Sequence, residues 1–291
     1  MKSFIVYIFH SFYYFDVNEQ YNMQESKDQK QFIPDILFFF FSLPILLTIV
    51  FYTYLNELFT LDTTNYNFFT IYVSNFAHLD FSHFIGNLSS YMFIILLIFF
   101  FCRLLGFRER NNFYLDMVII FIFVPFVISS IGIFVYDKAK ILGFSGVVSA
   151  LLGYFTASFI IYTYKKANID LNRTILFLFP VVFFNLLALS LFRYGLVENS
   201  GLYLLLILVL SIYLLDEAKY DILKIYNLFK NMILECGKIR CFPFTLYAIA
   251  IVFFFFIFTV KLWFILFPEQ IINDGDRTNL QGHYMGYLIG T

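Results

Sequence analysis

Charge is scarce in this chain. Lys, Arg, Asp and Glu together make up 13% of the 291 residues against 61% hydrophobic ones, and the mean hydropathy is +0.79. So apolar a chain cannot wrap its core in a wetted surface, which excludes a soluble globular domain and leaves a polytopic membrane protein with lipid around it. Neither sign of charge dominates, with 19 basic and 20 acidic residues, so nothing points to nucleic acid or an anionic surface as partner. Cysteine is nearly absent: Cys102, Cys236 and Cys241 have no metal-ligand spacing and fall at or near the expected cytosolic side, where thiols stay reduced. No metal or cofactor is called for. Ser3 to Phe15 is too short to span, and Asp16 to Gln31 after it is polar without a small-residue cleavage site, so an interfacial helix or a frayed tail is expected there rather than a signal peptide. Residues 1–35 therefore read as a cytosolic or interfacial segment and 36–291 as the transmembrane domain.

What the chain does have is apolar length, including 44 phenylalanines in runs such as Phe38 to Phe41 that suit lipid-facing positions. A spanning helix needs about 20 apolar residues. Stretches of that kind occur at Ile36–Leu55, Phe81–Cys102, Phe113–Tyr136, Ser145–Tyr164, Thr174–Phe192, Gly201–Leu215 and Phe244–Phe267, and another begins near Leu280. The fold expected is an all-α helical bundle. With the N-terminus cytosolic, 14 of the 19 Lys and Arg fall in inside segments; the other five, Lys138, Lys140, Arg193, Lys261 and Arg277, fall outside. In this orientation the helices that begin at Phe81, Ser145 and Leu280 all enter from the outer face. Asp216 to Arg240, with apolar residues among its lysines, reads as an amphipathic helix on the cytosolic face or as a solvated linker helix.

Polar side chains inside hydrocarbon are costly, so the few present raise a functional question. His83 and Asn87, four apart at the outer start of the second span, share one helical face and suit either an interhelical hydrogen-bonding pair or a site. Ser145 stands between Gly143 and Gly146, and with Ala150, Gly153 and Ala157 it opens a helix with a small-residue face that could serve close packing alone. His283 is followed by Gly286 and Gly290, so its helix also has a small face. If the two faces meet, Ser145 and His283 come together near the outer surface. A histidine that can take and return a hydroxyl proton is the minimum needed to activate a nucleophile.

These motifs, His78-x4-His83-x3-Asn87, Gly143-Phe-Ser145-Gly146 and Gly282-His283-x2-Gly286-x3-Gly290, occur in the order in which the chain resembles a rhomboid intramembrane serine protease. The resemblance implies a rhomboid-like core, with Ser145 as nucleophile and His283 as general base. It implies His83, Asn87 and the Ser145 backbone N–H as the oxyanion hole, and His78, Gly143, Gly146, Gly286 and Gly290 as structural positions. The substrates implied are transmembrane proteins cut near the outer membrane face, with these substrates and membrane lipid as partners and no nucleic acid.

The chain departs from the family pattern in four ways. Three candidate spans instead of one lie between the serine and histidine helices, and Ser149 stands where an aromatic residue often stacks on the histidine. The first loop, Asn56 to Asp80, has neither Trp nor Arg, where the family commonly has both. Only eight residues follow His283, about 12 Å of helix, so the last helix is expected to be truncated. These departures motivate an alternative, a catalytically inactive rhomboid-like protein that binds or guides membrane clients.

Overall fold

The computed structural model describes residues 34–105, 107–136, 138–166 and 280–291, the pairs 272–273 and 276–277, and separate residues between 169 and 230. Among the described residues three helices are long and apolar enough to cross a membrane: Pro34–Tyr52, Phe81–Phe99 and Phe113–Val135. They correspond to the first three expected spans, and the described part is a predominantly helical membrane protein.

The first span opens with a π-helical stretch, Leu37–Ser42, and continues as α1, Leu43–Tyr52. In the π register the Leu43 N–H reaches back five residues to the Phe38 carbonyl. Pro44 has no N–H to offer the Phe39 carbonyl five residues earlier, and the hydroxyl of Tyr91 supplies that hydrogen instead, 2.8 Å away. The expected end at Leu55 is three residues too far: Thr53 is extended and the chain turns there. A folded connection follows, comprising α2 (Leu55–Leu58), β1 (Leu61–Asp62), α3 (Phe68–Val73) and a 3₁₀ turn at Ser74–Phe76. Asn67 and Thr70 cap α3 reciprocally, each side chain accepting from the other's backbone N–H.

Asp80 accepts from the His83 N–H at 2.8 Å and starts α4, Phe81–Leu105. The next helix, α5 (Phe107–Val135), contains Pro125. Here the missing N–H frees the carbonyl four residues back, and again a tyrosine fills the place: the Tyr72 hydroxyl donates to the Phe121 carbonyl at 3.2 Å. After it, β2 (Lys140–Ile141) pairs antiparallel with β1, and α6 runs from Ser145 to Lys166. A two-residue hairpin, β3 (Ile272–Asn273) with β4 (Asp276–Arg277), precedes α7, Leu280–Gly290.

Burial repeats with helical period and defines the inward faces. Tyr91, Ile94, Ile95 and Ile98 of α4, Met117, Ile120, Val124 and Ile128 of α5, and Val147, Val148, Leu151 and Phe155 of α6 form one core with Tyr287 of α7. The opposite face of α5 exposes Val118, Ile122 and Phe123, which is the outward apolar surface that a lipid environment asks for. Of the remaining expected spans, Thr174–Phe192 and Phe244–Phe267 lie outside the described residues. The described positions within Gly201–Leu215 and Asp216–Arg240 are helical.

Candidate active site

The site is assembled from the N-terminal ends of α4, α6 and α7, together with the loops that precede the first two. Gly143 has φ +129°, a conformation open to glycine and rarely to other residues, and this lets the chain turn directly into α6 at Ser145. The Gly143 N–H is held by the Ser74 carbonyl at 3.1 Å. A Cβ on Gly143 would lie 2.9 Å from Cε1 of His83 and 3.7 Å from Oγ of Ser145, so the imidazole of His83 packs on the bare glycine beside the serine. Because α6 begins at Ser145, its first N–H groups have no acceptor within the helix and carry the positive end of the dipole.

His283 reaches the same point from α7. Its Nε2 is 2.7 Å from Ser145 Oγ, and both residues are buried, at 3% and 7% exposure. With the proton on Nδ1, Nε2 accepts from the serine hydroxyl. Glycine makes this approach possible. A Cβ on Gly286 would strike the Gly146 carbonyl, one on Gly290 the Ala150 carbonyl, and one on Gly153 the Tyr287 carbonyl. The pairings of Gly146 with Gly286 and of Ala150 with Gly290 advance in the same direction along both chains, so α6 and α7 run parallel at backbone contact. Parallel packing is the direction that an odd number of intervening spans requires.

A small polar cavity of about 10 Å³, room for about one water molecule, adjoins the pair and is lined by Ser74, Asn75, Gly143, Ser145, Gly282 and His283 among others. Its far wall is a buried polar network absent from the sequence reading. Asn75 Nδ2 donates to Ser129 Oγ at 2.8 Å and to the Pro125 carbonyl at 3.2 Å, and Ser74 Oγ lies 3.3 Å from Ser129 Oγ. The only hint in the sequence is the pair Ser129 and Ser130 in the apolar second half of α5, and nothing links them to Ser74 and Asn75 more than 50 residues earlier.

The other expected residues take distinct places. Asn87 is buried at 4% exposure and its Nδ2 makes no hydrogen bond, an unused donor one turn below His83; it does not line the cavity. The His78 side chain is buried outside the cavity, its ring 5.5 Å from that of His83. Its backbone is gripped by the side chain of Asn56, another residue that the sequence reading passed over. Burial, then the neighbouring His83, hold the His78 pKa down to about 3, against the opposing pull of the Phe76 carbonyl and Asp80. Ser149 turns inward and donates to the Ser145 carbonyl at 2.9 Å, so this position braces the first turn of α6.

Chemically the arrangement offers an oxygen nucleophile with a base in contact, a helix N-terminus behind it, and polar donors beside it. No family model, curated protein or solved structure matches the chain.

Proposed function

We propose that the chain is an intramembrane serine endopeptidase of rhomboid-like architecture, cleaving transmembrane proteins through a Ser145–His283 dyad. The observation that carries the reading is the 2.7 Å contact between Ser145 Oγ and His283 Nε2, buried beside a polar cavity in an otherwise apolar bundle. A structural role alone would not need two polar residues 138 positions apart to meet at a helix N-terminus with a small polar cavity beside them.

The chemistry follows from the groups present. His283 Nε2 takes the proton as Ser145 Oγ attacks the substrate's peptide carbonyl, and returns it to the departing amine as the C–N bond breaks. Water then repeats the exchange on the acyl-enzyme, restoring the serine and releasing the new carboxyl end. The negative oxygen of each tetrahedral intermediate would be held by the Ser145 N–H, the His83 ring and the Asn87 amide, donors worth about 10² to 10³ in rate apiece in comparable sites. Substrates would be membrane-spanning segments that can unwind locally, since an intact helix keeps its carbonyls in its own hydrogen bonds.

The test is labelling with a fluorophosphonate probe alongside cleavage of a reconstituted transmembrane substrate. Wild type is expected to be labelled and to cleave. Ser145→Ala and His283→Ala should each lose cleavage by about 10⁴-fold or more, and the double variant should be no worse than either single one, because the pair acts as a unit. A folded wild-type protein that neither labels nor cleaves would favour the client-binding alternative.

A further inference from the structure

We propose that Asn56 is a positioning residue for the oxyanion side of this site, acting through the backbone of His78; the inference rests on the endopeptidase reading. Asn56 Nδ2 donates to the His78 carbonyl at 2.7 Å, and its Oδ1 accepts from the His78 N–H at 2.8 Å. The two residues are 22 apart in sequence, so one side chain closes the whole first connection. A carboxamide is the only side-chain group that offers a donor and an acceptor side by side as a backbone residue does, so Asn56 pairs with His78 as a strand neighbour would. Leucine, alanine or aspartate at this position could not do so.

The place of the clasp gives it its role. From His78 the chain runs through the Asp80 cap into α4 and reaches His83, whose ring lies against Gly143 and near Ser145 Oγ. Seven residues after Asn56, Thr63 is tied to the other half of the site: its N–H donates to the Ala139 carbonyl at 3.0 Å and its Oγ1 accepts from the Ala139 N–H at 2.8 Å. The β1–β2 pairing continues that tie to Ile141, two residues before Gly143. Residues 56–63 thus form a strut that holds the His83 helix at one end and the Ser145 loop at the other. The connection lacks the Trp and Arg that the family resemblance led one to expect there, and this strut supplies an anchor of different chemistry.

Breaking the clasp should release the His83 side of the site and leave the substrate-facing surfaces in place. Asn56→Ala is therefore expected to lower kcat about 10- to 100-fold while KM changes less than about twofold. Asn56→Asp, of the same shape but with a carboxylate facing the His78 carbonyl, should show the same split even if the alanine variant folds poorly. Hydrogen exchange at the His78 amide should accelerate in both. Rates are compared per folded molecule, on wild type whose cleavage depends on Ser145. Wild-type kcat in a folded Asn56→Asp variant, or a loss that only follows the folded fraction, would overturn the proposal and leave the endopeptidase reading standing. Cleavage that survives Ser145→Ala would instead overturn that reading, and the exchange rate would then report on the clasp alone.

Discussion

Gly290 on α7 rests against the backbone carbonyl of Ala150 on α6, with no room between them for a Cβ. One turn earlier Gly286 lies in the same way on the Gly146 carbonyl. The separation of these backbones sets where His283 stands relative to Ser145, so the packing of small residues and the chemistry of the site are one problem.

Gly290→Ala and Gly286→Ala should push the helices apart. Each is expected to cost about 1 to 3 kcal/mol, as overpacking of a close contact does, and to reduce cleavage by displacing His283. Leu288→Ala, on the exposed side of the same helix, should change stability by less than about 0.5 kcal/mol. Thermal unfolding in detergent with parallel cleavage assays decides it; equal effects at all three positions would mean that the contact is not limiting.

Tyrosine hydroxyls complete the backbone at Pro44 and Pro125, prolines inside the described spans. Removing them by Tyr91→Phe or Tyr72→Phe leaves the Phe39 or Phe121 carbonyl unsatisfied, at a cost of about 1 to 3 kcal/mol each. The buried Tyr91 should be the more sensitive of the two. If Tyr91→Phe matches wild type in denaturation, the Phe39 carbonyl has another donor.

The connection carrying His78 should loosen in acid. In the folded chain the ring has a pKa of about 3, whereas once exposed it would titrate near 6.5. Between those values the opened state binds more protons than the folded one, so stability is complete above about pH 6.5, falls as the pH drops toward 3, and levels off below it. Amide exchange across residues 74–80, corrected for the intrinsic pH effect, should show this slope, and His78→Gln should flatten it. An unchanged slope would assign the effect to another group.

Much of this site was legible in the linear chain because it depends on periodic or short-range signals. Hydropathy marked the spans α1, α4 and α5, since a helix in lipid must be apolar along a length set by the bilayer. Glycines at fixed spacing marked the faces of α6 and α7. Three expected spans between them led to the expectation that those helices are parallel, and their contacts are parallel. Ser145 and His283 could be paired because each opens a helix that begins at the same face.

What the linear chain could not show are the single contacts between distant, non-periodic positions. Asn56 with His78, Asn75 with Ser129, Tyr91 with Phe39 and Tyr72 with Phe121 each join one side chain to one residue far along the chain. No pattern announces them, because a hydrogen bond is specified by a position in space and not by a repeat in sequence. Composition and period determined that helices form and which faces turn inward. Only the packed structure decided which carbonyl lacked its hydrogen, which hydroxyl supplied it, and how the loop before α4 is held against the serine.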